Sequence, residues 1–335
     1  MTSRITRITA AALSLATAVA LAACSSDSGS DDSSGGADDT AASTATDSFP
    51  VTVATKFGDV EVKDQPERVV ALGWGDAEIA TELGVQPVGV SDWLDFGGDG
   101  LSPWATATYD EAPEQLGTME PDYEKIAALE PDLILNVRAD GSQETYDRLS
   151  KIATTVSVPD GADNWMTPWD SQVSMISTAL GEKAKGEELV TQVKDRITEV
   201  KDAHPQWADK TATVLAKTTV EWGAYVAGDA RADLVEDLGF QPNPEITDLA
   251  KDTFYVSLSE ENVDKADSDV VIGFPIGLSA EEFTADASWK QLTAVKEGHS
   301  IVTDEELANA ISLGTPASML HALDLLVPLL EKATA

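Results

Sequence analysis

The apolar residues of this 335-residue chain change their period along its length, and the order of those changes restricts the fold more than any single motif does. "RVVAL" at 68–72 is a continuous apolar run ending before Gly73, which suits a strand buried on both faces. "DAEIATEL" follows with Ile79 and Leu83 four apart and Gly84 as a stop, the spacing of a short helix. "VQPVGV" then reads as a second strand, completing a β-α-β unit. "DYEKIAALEPDLILNV" repeats the order: a helix over 123–129, Pro131 as breaker, then a strand. "SQETYDRLSKI" is a further helix and "TTVSVP" a further strand. Residues 50–160 therefore alternate strand and helix, the pattern of an α/β sheet layer.

The alternation then stops. "SQVSMISTALG" is one helix closing at Gly181, and a long stripe follows in which Leu189, Val193, Ile197 and Val200 recur at helical spacing. A helix over about 182–203 is roughly 33 Å long, enough to touch two lobes rather than cap one. The alternation resumes with "TATVLAKTTV" as strand, "RADLVEDLGF" as helix, "SEENVDKA" as short helix and "SDVVIGFP" as strand. "SWKQLTAV" is a helix, "SIVTD" a strand and "PASMLHALDLLVPLLEKA" the last helix. The expected architecture is α/β: two lobes, 49–181 and 205–335, joined by a single long α-helix at 182–204.

The N-terminus carries a different message. Residues 1–9 hold Arg4 and Arg7 and no acid, and 10–23 are uncharged and mostly apolar, the form of an export signal. The exit "LAAC" resembles the bacterial lipobox, in which the cysteine is lipidated. Cys24 is the only cysteine, so no disulfide framework exists. Residues 24–48 are a Ser, Asp, Gly and Thr tether that cannot bury enough apolar surface to order itself. The formal net charge is −37, and loss of a 1–23 leader leaves 20 bases against 59 acids. Such a balance argues against nucleic acid and anionic membrane surfaces as partners.

A resemblance to a known family rests on the ordered phrases "RVVALGWGDAEIATELGVQPVGV", "PDYEKIAALEPDLIL", "TYDRLSKIATTV", "LVEDLGF", "SEENVDKADSDVV" and "SWKQLTAVKEGHSIVTD". Across about residues 60–325 they resemble the siderophore-binding lipoproteins of bacterial iron-uptake ABC transporters. These are class III substrate-binding proteins, with relatives that bind cobalamin or haem. The resemblance implies two Rossmann-like lobes, no enzymatic activity and no intrinsic cofactor. It implies a monomer on the outer face of the cytoplasmic membrane, held there only by the lipid on Cys24. It implies capture of an intact ferric siderophore and delivery to an ABC-transporter permease dimer. One surface glutamate per lobe would dock on that dimer: Glu124 in "PDYEKI" and Glu261 in "SEENV", with Glu260 beside it.

The ligand is expected between the lobes, at strand ends. Ferric siderophores are bulky and often anionic, so a matching cleft needs flat aromatic faces and arginine. The candidates are Arg138, Trp74, Tyr225, Trp165, Trp222, Arg231, Trp93 and Phe274. Each also has a reading as core or rim packing. The loop over 95–115 is Gly-rich and either shapes the cleft rim or covers a lobe surface.

Other classes leave weaker traces. His204, His299 and His321 lie far apart in sequence, unlike the clustered ligands of a bare metal site, and His204 and His299 are expected at the surface. Haem ligation through Tyr225 stays open. No Gly-x-Ser-x-Gly or phosphate loop is present, and "GWGDAE" lacks the third glycine of a dinucleotide fingerprint. A secreted glycosidase or sugar-binding protein stays open on the acids and tryptophans. Arginine in the cleft separates that reading from an anionic chelate.

Overall fold

The computed structural model describes residues 48–92, 100–117, 119–162, 164–251 and 253–335. The expected leader at 1–23, the expected lipidation site Cys24, the expected tether up to residue 47 and the candidate Trp93 lie outside the described residues. Among the described residues no helix is long and apolar enough to cross a membrane.

The described residues open with a hairpin that the sequence reading passed over: β1 (Val51–Thr55) pairs antiparallel with β2 (Gly58–Val62). The expected alternation follows. β3 (Val69–Ala71), β4 (Gly89–Val90), β5 (Glu114–Gln115), β6 (Leu133–Asn136) and β7 (Thr154–Ser157) form one sheet in the order β5-β4-β3-β6-β7, parallel throughout. Helices Asp76–Glu82, Tyr123–Ala128 and Gln143–Leu149 make the crossovers. β3 and β6 are buried at every residue, as continuous apolar runs require.

That strand order has a consequence for binding. The chain leaves β3 toward one edge, returns to β6 on its other side and continues to β7. The reversal between β3 and β6 is a switch point, where two loops diverge and leave a crevice beyond the strand carboxyl ends. Trp74 follows β3 and Arg138 follows β6, so both stand at that crevice.

Helix Trp169–Leu180 closes at Gly181, whose φ of 71° is the left-handed stop expected of glycine. The 21-residue helix Lys183–Ala203 comes next. Its Leu189 and Val190 pack on the core around β3, β6 and helix Trp169–Leu180. Val193, Ile197 and Val200 belong to the core of the second half, with Trp207, Phe240 and Leu326. One stripe thus serves two cores in succession. The two helices approach closely: a Cβ added at Gly186 would stand 2.2 Å from Ser177 Oγ.

The second half holds β8 (Thr211–Lys217), β9 (Trp222–Tyr225), β10 (Gln241–Pro242), β11 (Tyr255–Leu258), β12 (Val270–Pro275) and β13 (Ser300–Val302). Their order is β11-β9-β8-β12-β13, with β10 also on β8. β8, β12 and β13 are parallel, whereas β9 and β11 run antiparallel. The second sheet is therefore mixed. "TATVLAKTTV" is not one strand: β8 ends at Lys217, and a hydrogen-bonded turn over 218–221 sends the chain back. "SEENVDKA" is a 3-10 helix, Glu260–Ala266, and "SWKQLTAV" breaks at Leu292 into Ala287–Gln291 and Thr293–Glu297. Helix Glu305–Leu313 had no counterpart in the sequence reading, while the last helix, Pro316–Ala333, falls on the phrase that announced it.

Candidate functional site

The turn after β3 is built around close approach. Gly73 lies so near Asp76 that a Cβ would meet Oδ2 at 2.2 Å and the Arg138 backbone nitrogen at 2.8 Å. Gly75 has a φ of 82° and caps helix Asp76–Glu82 in the left-handed region. These two glycines explain "GWGD": they are turn chemistry and not a phosphate fingerprint. Asp76 then ties the turn to the end of β6, where its Oδ2 accepts from the Val137 N–H at 2.8 Å. Its Oδ1 accepts from Gln172 Nε2 at 2.7 Å, and the same amide donates to the Trp74 carbonyl at 2.8 Å. Burial raises the Asp76 carboxyl to about 6, against the opposing pull of those donors.

Trp165 reaches the same place by a strained route. Asn164 and Trp165 both have positive φ, 55° and 62°, a region that costs side-chain-bearing residues energy. Their N–H groups donate to the Asp140 and Ala139 carbonyls at 3.1 and 2.9 Å, which lays the loop along the extension of β6. The Trp165 indole stacks on Trp74 with centroids 4.8 Å apart and planes 15° from parallel. Both rings are half-buried.

The second half supplies the facing wall. Tyr225 ends β9, and the guanidinium of Arg231 lies over its ring at 4.4 Å and over Phe274 at 5.1 Å. Arg231 pairs with Asp229 at 2.9 Å, both side chains being nearly buried. Its buried Nε has no partner among the described residues. Burial pushes the Tyr225 hydroxyl up, and the Arg231 charge pulls it back. Burial also raises Asp233 to about 6.

These residues enclose one cavity of about 260 Å³, lined by Trp74, Arg138, Asn164, Trp165 and Met166 from the first half. Tyr225, Gly228, Asp229, Arg231 and Phe254 line it from the second. Arg231 and Phe274 also line a second cavity of about 810 Å³, bounded by residues 275–280 and by Thr303, Asp304, Asn309 and Ser312. Together the two spaces are on the scale of a site for a bulky small molecule. The arrangement offers a stacked aromatic face and two arginines, one of them neutralised by a carboxylate.

Five sequence candidates thus meet on the first cavity: Arg138, Trp74, Tyr225, Trp165 and Arg231. Phe274 stands behind it, 4% exposed, with its edge on Tyr225 and one side on the second cavity. Trp222 corrects the expectation. It and Tyr225 are three apart in one strand and so project from opposite sheet faces. Trp222 is 1% exposed, packs edge-on against Phe283 and belongs to a core away from the cavity. Arg138 has contacts beyond the cavity it lines. It is buried, and its Nη1 donates to the Leu313 carbonyl at 2.7 Å and to that of Ser312 at 3.5 Å. Burial lowers it to about 10. Asp229, Asn164, Met166 and Phe254 were missed. Asp229 had a readable signal, since it N-caps helix Ala230–Asp237, in whose first turn Arg231 stands.

The remaining candidates lie elsewhere. Glu124, in the first turn of helix Tyr123–Ala128, is exposed, as are Glu260 and Glu261. His204 is half-buried: it stacks on Trp207 at 4.1 Å and its Nδ1 meets the Val200 carbonyl, while its Nε2 faces the exposed Glu331 at 2.9 Å. No group of metal-ligating side chains is present among the described residues. In the 100–117 loop, Trp104 Nε1 donates to Ser318 Oγ at 2.8 Å and its ring stacks on His321. That part of the loop covers the junction between halves.

Two α/β sheets that jointly wall a cleft, with a long helix between them in sequence, are an arrangement suited to a solute-binding protein. The chain belongs to the periplasmic binding protein family, whose profile matches residues 69–307. Members of that family bind ligands for transport and are not enzymes. Among curated relatives, the probable siderophore-binding lipoprotein YfiY of Bacillus subtilis is 28% identical over 256 residues, 72% of this chain and 75% of its own length. Among solved structures, a periplasmic solute binding protein from Mycobacterium smegmatis superposes with a TM-score of 0.74 at 30% identity, covering 85% of this chain and 99% of that one. The iron-uptake protein PiaA of Streptococcus pneumoniae, solved in complex with ferrichrome, gives 0.68 at 26%, covering 85% and 98%.

Proposed function

We propose that this protein captures a ferric siderophore and delivers it to an ABC-transporter permease for iron uptake. The observation that carries the reading is the convergence of Trp74 and Trp165 with Tyr225 and Arg231 on one cavity walled by both halves. The relatives bearing siderophore names or complexes support the same class of ligand. The ligand remains chemically intact, held by aromatic faces and by Arg231. That arginine lines both cavities, whereas Arg138 already spends Nη1 on helix carbonyls.

The two halves, 49–181 and 205–335, act as lobes about the helix at 182–204. Lipid on Cys24 holds the monomer at the outer face of the cytoplasmic membrane, with 24–48 as tether. Glu124 and Glu261 dock on the permease dimer, where exposed carboxylates meet arginines and set orientation without a large apolar interface.

The test is a tryptophan-fluorescence titration against ferric hydroxamates, ferric catecholates, ferric citrate, haemin, cobalamin and an oligosaccharide. Saturable quenching by a ferric chelate is expected, weakened at least tenfold in Arg231→Ala. Binding of haemin or cobalamin alone keeps a transport role and overturns the siderophore. Binding of the oligosaccharide alone overturns the anionic-ligand reading altogether.

A further inference from the structure

Helices Glu305–Leu313 and Pro316–Ala333 of the second half meet at the corner Gly314–Thr315, and the first half grips both of their ends. At the closing end, Arg138 Nη1 donates to the Leu313 and Ser312 carbonyls, acceptors that a helix C-terminus leaves without intrahelical partners. At the opening end, Glu78 from helix Asp76–Glu82 accepts from the Thr315 and Ser318 hydroxyls. Its other oxygen accepts from Ser102, whose backbone N–H donates at 3.2 Å. Trp104 donates to the same Ser318.

The signs are matched to the helix ends. A cation sits at a helix C-terminus and an anion at a helix N-terminus, each the favoured partner of the local dipole. Glu78, Arg138, Ser312, Thr315 and Ser318 are all buried, so these contacts are little screened. The fit is steric as well. A Cβ on Gly75 would meet Thr315 Cγ2 at 2.8 Å, and one on Gly314 would stand 3.4 Å from Arg138 Nη1. Thr315 also N-caps the last helix through Ser318 N–H, so the corner is itself rigid.

We propose that Glu78 and Arg138 form a clamp on this corner that fixes the spacing of the two cleft walls. Glu78 does not line the cavity and acts as a positioning residue, through Thr315 and Ser318. Arg138 both lines the cavity and holds the corner, so the floor of the site is also its fastening. The cleft is thereby preorganised for its ligand. Loss of the clamp weakens binding by spreading the population over other wall spacings, with the pocket chemistry intact. If the clamped arrangement falls to about a tenth of the population, the apparent Kd rises about tenfold. The effect on affinity rests on the siderophore reading, whereas the effect on wall spacing does not.

The experiment uses the full chain with Cys24→Ser and spin labels on cysteines replacing the exposed Lys151 and Glu297, one in each half. Pulsed-EPR distance distributions are recorded for the parent and for Glu78→Ala, Glu78→Gln and Trp104→Phe. Broadening is expected in Glu78→Ala and less in Glu78→Gln, which keeps the size and one acceptor. Trp104→Phe keeps a ring on His321 and removes one donor at Ser318, so a slight broadening follows. A merely structural role for Glu78 lowers the melting temperature and leaves the distribution of folded molecules unchanged. That result overturns the clamp, as does an unchanged distribution in Trp104→Phe should the Glu78 variants fail to fold. Ferric-chelate titration of the same proteins is expected to lose affinity in the order of broadening. Broadening without any chelate binding in the parent leaves the clamp standing and removes the siderophore.

Discussion

Asp76 is a fully buried acid whose ionisation the fold resists, and it makes a quantitative prediction. Its carboxyl is carried from 3.8 to about 6, chiefly by burial. A shift of about 2 units corresponds to about 3 kcal/mol between protonation states. The folded protein therefore holds the proton more tightly than the unfolded chain. Stability from this group is fully present below about pH 4 and is lost as pH rises through about 6, because the folded state must then bury a charge. Asp76→Asn removes the ionisation and keeps the size. Its carbonyl can still accept from Val137 N–H. A flip of the Gln172 amide lets Oε1, without a partner among the described residues, accept from the new amide. That flip moves the constant offset between the two proteins, but not the dependence on pH. Glu82, raised to about 7, and Asp233 titrate in both proteins and largely cancel from the difference. Urea unfolding of both proteins from pH 4 to 8 reads the effect. The native protein should lose about 3 kcal/mol relative to the variant, mostly between pH 4 and 6, and the curves should run parallel above about 7. A flat difference would refute the reasoning. A native protein that gains on the variant with rising pH would mean that Val137 and Gln172 hold the carboxylate ionised.

Two further changes test the packing and the site. Gly186→Ala drives a methyl into Ser177 across the helix pair and should cost about 1–3 kcal/mol, read as a lower urea midpoint at unchanged slope. Trp165→Gly removes the stacked ring but relieves a left-handed backbone, a strain of about 1 kcal/mol or more. Stability should stay within about 1 kcal/mol while affinity for an aromatic chelate falls; a large stability loss would show that the indole serves the core.

Much of the first half was legible because parallel strands buried on both faces leave unbroken apolar runs. "RVVAL" and "DLILNV" announce β3 and β6, and a switch point between them follows once the order is known. Trp74 and Arg138 could therefore be singled out by their place after a strand. The hairpin β1–β2 escaped, since "VTVATKFGDVEV" alternates and carries no tight-turn pair of the common kind. The antiparallel β9 and β11 escaped because four residues are too few to show a period, and β9 carries a glycine in its middle. With β9 went the facing of Trp222, because a residue read as loop has no assigned side while a strand residue does.

What the sequence determined by itself was local: strand and helix order, the long helix, the glycine stops and the residue types able to hold a bulky anionic aromatic ligand. Tertiary structure decided which of those residues meet. Trp74 and Trp165 are 91 residues apart and stack only because two left-handed residues turn the loop back along β6. Arg138 and Leu313 are 175 apart, and Glu78 and Thr315 237 apart. The clamp they form has no signature in either segment. Each charge becomes meaningful only beside a helix end that the other half of the chain brings to it.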